Sequence, residues 1–246
     1  MAVADVEGRR PVLELLRSKR EVNKLLIAKG RRRGSIREIL DLARSQGIVV
    51  QKVDRAVLDR LSVTSNHQGV IAQVAAIKYK KIEEVLEKEE DPHWPPFLVL
   101  LDGIQDPHNL GSILRSSEAV GVNAVVIPER RAAGVTAAVM KSSAGAANHV
   151  PVCRVGNMAD TIDLLKEKGF WIAGADPRGE LCYKQDLGGP LALVIGGEGD
   201  GLGRLVREKC DFLSALPMRG RLNSLNAAVA GAVIMFEVLR QRQLGE

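Results

Sequence analysis

Apolar residues along this chain fall into short β-branched blocks and longer stretches with helical spacing, and the two kinds alternate almost throughout. In the first third, Pro11-Val-Leu-Glu-Leu-Leu-Arg17 and Ile36-Arg-Glu-Ile-Leu-Asp-Leu-Ala43 carry helical spacing, with Gly47 placed to stop the second helix. Residues 22–28, 48–53 and 70–77 are rich in β-branched positions and read as strands. Residues 79–96 change character. Lys81–Glu90 is a charged helical segment, and Asp91-Pro-His-Trp-Pro-Pro96 ends it with the proline density of a semi-rigid connector. From Phe97 the pattern predicts strands at 97–101, 124–127, 150–154, 170–174 and 191–196. Helical stretches are expected at about 109–120, 135–141, 157–168 and 224–241. Strands alternating with helices imply a mostly parallel sheet covered on both faces, so the expected class is α/β. The expected organisation is a small α/β domain over 1–78, a connector over 79–96, and a larger α/β domain over 97–246.

The last helix is apolar nearly all round from Leu225 to Leu239, with small residues at Ala227, Ala228, Ala230, Gly231 and Ala232. Such a helix is buried on several sides, within one chain or against a second copy, and the pattern alone leaves both open.

Charge changes the picture mainly in the first third. Residues 1–78 hold 16 Lys and Arg against 8 Asp and Glu, whereas residues 97–246 balance at 16 against 16. A basic field confined to one domain attracts polyanions, although it is also compatible with an ordinary solvated surface. Hydrophobic residues make up 46% and charged residues 26% of the 246, which is ordinary globular composition. No apolar run reaches the length of a membrane span, and no secretory signal core is visible at the N-terminus. Cys153, Cys182 and Cys210 are widely spaced and odd in number, and the four histidines lack ligand spacing. Reduced thiols in a cytoplasmic protein, without a metal, are therefore expected.

Candidate chemistry sits in three polar loops at strand ends, where an α/β sheet usually builds its site. Asp106-Pro-His-Asn-Leu-Gly-Ser-Ile-Leu-Arg115 follows the first strand of the larger domain, and Gly196-Gly-Glu-Gly-Asp-Gly201 follows the apolar block 191–195. Leu216-Pro-Met-Arg-Gly-Arg-Leu-Asn-Ser-Leu-Asn226 opens the last helix. Gly111 suggests that Asn109 lies in the loop before its helix, and Asn223 or Ser224 suits an N-cap of the last helix. The glycine loop fits G-x-G-x-x-G in no register, because Leu202 and Arg204 stand where the third glycine belongs. Met140 likewise breaks a phosphate-loop reading of Lys141-Ser142.

Taken together, Asn109-x-G-x-x-x-Arg115, Gly197-Glu-Gly-x-Gly-Leu202, and Pro217-Met-x-Gly with Ser224-Leu-Asn226 and Glu237 resemble the three motifs of the SpoU/TrmH branch of the SPOUT RNA 2′-O-methyltransferases. The resemblance covers 97–246. It implies a SPOUT domain, an α/β trefoil knot with S-adenosyl-L-methionine bound in the knot, and a homodimer through the C-terminal helix region. By position, Gly197, Leu216, Met218 and Leu225 would contact the cofactor. Asn109, Arg115, Glu198, Ser224 and Asn226 would form the catalytic and RNA-binding site.

Residues 1–78, with Asn66-His-Gln-Gly-Val70, resemble the L30e-like substrate-binding domain of the RlmB-type guanosine methyltransferases of bacterial 23S rRNA. Ser65-Asn66 departs from the family's Thr-Gly before His67. The implied reaction is attack of a ribose 2′-hydroxyl on the cofactor's sulfonium methyl. Ribosomal RNA is the leading substrate expectation. The alternatives are tRNA, an adenosine-directed resistance enzyme, and an RNA-binding assembly factor without activity.

Overall fold

The computed structural model describes residues 5–17, 21–30, 34–62, 65–87, 94–221 and 224–244. The chain divides into two compact units, one of residues 1–78 with Gly134–Ala137 and one of Tyr79–Ala133 with Ala138–Glu246.

The first unit carries β1 (Val6–Glu7), α1 (Arg9–Arg17), β2 (Val22–Ala28), α2 (Ser35–Ser45), β3 (Val50–Val53), α3 (Arg55–Leu61) and β4 (Val70–Val74). Its mixed sheet has the order β1-β4-β2-β3, with β2 parallel to β3 and antiparallel to β4. Both helices expected from spacing are present. Val12, Leu16, Ile36, Ile39 and Ala43 meet Leu25, Ile27 and Ala72 in one core. Helix α3, invisible to periodicity because it spans barely two turns, is held by the buried Leu58.

The second unit contains α4 (Ile82–Leu86), β5 (Phe97–Asp102), α5 (Pro107–Ala119), β6 (Ala124–Pro128), α6 (Ala137–Ser142), β7 (Val152–Val155) and α7 (Met158–Glu167). These are followed by β8 (Trp171–Leu181), β9 (Leu191–Gly196), α8 (Arg204–Lys209), β10 (Phe212–Ala215) and α9 (Ala227–Leu244). Its six strands run in the order β10-β8-β9-β5-β6-β7, and every neighbouring pair is parallel. This is the expected α/β class, and it explains the unbroken apolar blocks: Leu98–Leu101, Ala124–Ile127 and Leu191–Ile195 are all buried, as strands covered on both faces require.

The connector expected over 79–96 starts differently. Ile82 and Val85 of α4 are buried in the core of the second unit, and Lys80 bridges Cys153 of β7, so the segment packs as part of the sheet domain from its beginning. The rest of that charged tract, 88–93, lies outside the described residues, as does Asn223. At the far end of the chain, Arg242 of α9 is buried. It donates from Nη1 to the Pro95 carbonyl (2.6 Å) and from Nη2 to the Gly189 carbonyl (2.9 Å), beside the rings of Trp94 and Phe97.

Gly111 shows a packing demand that the motif hides. A Cβ there would lie 1.9 Å from Ser142 Oγ and 2.8 Å from Ser142 Cβ, so α5 and α6 approach each other only over glycine. Gly111→Ala is expected to cost about 1–3 kcal/mol, as overpacking of a filled site does. Thermal denaturation checks this, and adding Ser142→Gly to the same chain should recover part of the loss.

Among the described residues, no helix is long and apolar enough to cross a membrane. The three cysteines are unpaired, and burial pushes the Cys153 and Cys210 thiols up to about 11.

Candidate active site

The three motif loops converge at the C-terminal ends of β5 and β9. Asp106 caps α5 by accepting from the His108 amide (3.0 Å), and Pro107 occupies the first helical position, where a missing N–H costs nothing. Asn109 is therefore the third residue of α5 and buried. It does not sit in the preceding loop, as Gly111 suggested, because Gly111 serves the contact with Ser142.

The glycine loop is tight for a similar reason. A Cβ on Gly197 would lie 2.4 Å from the Gly103 carbonyl oxygen. The Gly197 amide donates to the Asp102 carbonyl (2.8 Å), and the Asp102 side chain accepts from the Gly203 amide (2.7 Å). Strand end and loop are thus clamped together, which fixes Glu198 at the loop's exposed apex.

Helix α9 begins at Ala227, with Asn226 as its N-cap: Oδ1 accepts from the amides of Ala228 (3.0 Å) and Val229 (3.2 Å). The expected cap at Asn223 or Ser224 is thus displaced to Asn226. Since Oδ1 is committed to the helix, Nδ2 has to face the other way, and it donates to Asn109 Oδ1 (3.0 Å) and Glu198 Oε1 (3.1 Å). Asn109 Nδ2 closes the ring by donating to the same Glu198 oxygen. Three residues from three motifs, 117 positions apart at the extremes, form one cyclic network. Two amide donors on Oε1 hold the Glu198 carboxylate in a set orientation, with no cation paired to it among the described residues.

Beside this network lies a cavity of about 460 Å³, lined by Gly197, Glu198, Leu216, Met218, Ser224 and Leu225, with Ile195, Ala215, Ala230 and Ile234 contributing apolar surface. All four residues expected to contact a cofactor are among its walls. Ser224 lies on the wall but outside the hydrogen-bonded ring. Arg115 is exposed on α5 and, among the described residues, has no ion-pair or hydrogen-bond partner. Six helical residues separate it from Asn109, about 9 Å along the axis and about 120° round it, so one chain does not bring it to Glu198.

Sequence reading missed Asp176 and Arg178, which also line the cavity. Asp176 is buried, and it accepts from Arg178 Nε (2.8 Å), Nη2 (2.6 Å) and the Arg178 amide (2.9 Å). The guanidinium holds the Asp176 carboxyl below the usual carboxylate range. The expected strand stops at 174, short of both.

Comparison with known proteins bears on this geometry. The model of the SpoU rRNA Methylase family matches residues 96–236, and that of the RNA 2′-O ribose methyltransferase substrate-binding domain matches residues 6–80. A Bacillus subtilis protein, YacO, assigned by name to the TrmH family of tRNA/rRNA methyltransferases, is 48% identical over 238 residues, 96% of this chain and 95% of its own. This chain belongs to the SpoU/TrmH family of RNA methyltransferases. Among solved structures, the SpoU methyltransferase AviRb from Streptomyces viridochromogenes, crystallised with S-adenosylmethionine, aligns over 98% of this chain and 91% of its own. The TM-score is 0.62 and the identity 27%. The TrmH/SpoU tRNA-modifying enzyme of A. aeolicus aligns over 66% of this chain and 81% of its own, at TM-score 0.57 and 28% identity. The SpoU/TrmH match thus spans both units, with the SPOUT domain on the second and the substrate-binding domain on the first.

Proposed function

We propose that the protein transfers a methyl group from S-adenosylmethionine to the 2′-hydroxyl of a guanosine ribose in 23S ribosomal RNA, working as a homodimer. The observation that carries the reading is the adjacency of the cavity and the Asn109–Glu198–Asn226 ring. A pocket of this size suits a nucleoside cofactor, and its walls supply apolar surface for a base beside the glycine loop. Bound there, the cofactor supplies an electrophilic methyl group on a sulfonium.

The chain's own residues have the harder task of presenting a weak nucleophile. Glu198 and Asn226 fix the position of the ribose, a contribution of orientation rather than of proton affinity. Arg115 stabilises the developing alkoxide and an adjacent phosphate. A guanidinium stays protonated in proteins, so charge stabilisation is the role open to it. Because Arg115 stands apart from the ring in one chain, a second copy delivers it. Helices α5 and α9 lie side by side: Asn109 meets Asn226 at their starts, and Ser117 Oγ meets Met235 Sδ (3.6 Å) further along. On α9, Val229, Val233 and Phe236 form an exposed apolar stripe suited to a dimer interface.

Ribosomal RNA is favoured by the family description matched over 96–236, whereas the substrate-binding domain over 6–80 supports an RNA substrate in general. The test is to map ribose methylations in rRNA and tRNA from a strain lacking the gene, with and without the gene restored. A lost 23S guanosine methylation supports the reading, whereas a lost tRNA methylation moves the same chemistry to tRNA. We also expect calorimetry to show cofactor binding that a chelator leaves unchanged. A divalent ion needed to restore binding would contradict this. Among the described residues, no three His, Cys, Asp or Glu side chains are grouped to hold a metal.

A further inference from the structure

The wall of the cavity opposite the motif loops is made by an irregularity in the sheet. Strand β8 pairs with β9 only as far as Ala175. On its other side, Leu213 and Ser214 of β10 are consecutive, yet their partners are Gly174 and Glu180. Residues 175–179 are therefore extra on β8, a bulge of the kind that re-aims side chains beside active sites. Local chemistry fixes it. Pro177 brings no N–H that would need a ladder partner. Gly179 passes so close to β10 that a Cβ would lie 2.2 Å from the Leu213 carbonyl oxygen. The Asp176 carboxylate accepts the Arg178 amide two residues on. The bulge places Ala175, Asp176, Pro177 and Arg178 on the cavity wall.

Among the described residues, Arg178 is the one cation lining the cavity, whereas Asp176, Glu198 and Asp200 supply three carboxylates. Asp176 is 4% exposed in its side chain and Arg178 62%, so a buried carboxylate grips an open guanidinium. Nε and one N–H of Nη2 are committed to Asp176. Among the described residues nothing accepts from Nη1, so one edge of the planar fork remains for a second carboxylate.

We propose that Arg178, held by Asp176 on the β8 bulge, binds the α-carboxylate of the cofactor's amino-acid moiety. The inference rests on the cofactor reading above and adds the residue that separates a complete cofactor from a bare thionucleoside. The charges match: the cofactor's sulfonium and ammonium are cations for a carboxylate-lined cavity, and its single anion needs the single guanidinium. Prior pairing with Asp176 orders the long arginine side chain before the ligand arrives, which reduces the entropy lost on binding.

The test uses full-length protein and two ligands that differ in the amino-acid moiety. S-adenosylhomocysteine retains the α-carboxylate, and 5′-methylthioadenosine lacks it while keeping the adenosine and the sulfur. Arg178→Met is expected to weaken S-adenosylhomocysteine by about tenfold, the order of one charge-assisted hydrogen bond at an open site. Binding of 5′-methylthioadenosine should stay within about twofold, and Arg178→Lys should recover part of the loss by restoring a point charge. Unchanged melting temperatures would show that both variants keep the fold. Equal weakening of the two ligands would overturn the inference and place the pair on the adenosine side, and unaltered S-adenosylhomocysteine affinity would overturn it outright. If the wild-type protein binds neither ligand, the cofactor reading itself falls, a result distinct from either of these.

Discussion

Arg115→Ala should lower single-turnover methylation by about 10²–10³-fold while leaving cofactor affinity unchanged, the scale seen when a group stabilising transition-state charge is removed. The argument is geometric. Arg115 is exposed and unpartnered among the described residues, so its removal leaves no buried group unsatisfied and the fold intact. A matched loss is expected at Asn226, but alanine there would remove the α9 cap as well and cost about 1 kcal/mol of stability. Asn226→Ser is the cleaner change, because a serine hydroxyl still caps the helix while the amide that donates to Glu198 and Asn109 is gone. Mixing the two inactive proteins then decides whether Arg115 works across a dimer. If it does, each mixed dimer contains one site with both residues intact, and random reassortment restores about a quarter of wild-type activity. If Arg115 acts within its own chain, every mixed site lacks one residue and the mixture stays inactive.

The second large effect concerns RNA affinity. A fragment of residues 79–246 is expected to stay folded and to bind cofactor, since α4 belongs to its core and all motif residues lie within it. A cut at residue 92 would remove Ile82 and Val85 from that core. The fragment has 19 Lys and Arg against 22 Asp and Glu, so the whole positive surplus is gone from it. RNA binding at low salt should fall by about a hundredfold. The log–log salt dependence should flatten by roughly 0.7–0.9 for each phosphate that the fragment no longer neutralises, as counterion release requires. Titration of full-length protein and fragment at several salt concentrations measures both. Equal affinities with equal slopes would show that the N-terminal unit does not recognise RNA.

How far the sequence carried the reading depended on the length and spacing of each feature. The buried strands were legible because parallel strands covered on both faces need unbroken apolar runs, as at Leu98–Leu101 and Leu191–Ile195. Helix α8 and strand β10 were not, since α8 buries only Val206 and β10 runs Phe-Leu-Ser-Ala with no β-branched residue to mark a strand. The three motifs named the residues that the fold brings together, but their local roles were misread. Gly111 suggested a loop position for Asn109 and proved to be a helix–helix contact. Asn226 looked purely functional and proved also to be the cap that starts α9. Asp176 and Arg178 escaped because a proline and a glycine beside them mimic a strand end. Only the pairing of Glu180 and Leu181 with β10 shows that the strand resumes.

The dual role of Asn226 has a consequence for the order of synthesis. Asn109 is synthesised 117 residues before the cap that completes the ring and Glu198 28 residues before it, and α9 is then secured at its far end by Arg242 reaching back to the carbonyls of Pro95 and Gly189. Pairings that span so much of the chain form late and slowly. A nascent chain therefore has all six strands of its second sheet before it has the ring, and a message truncated just ahead of the Asn226 codon would yield those strands without the ring and without the buried residues of α9 that cover them.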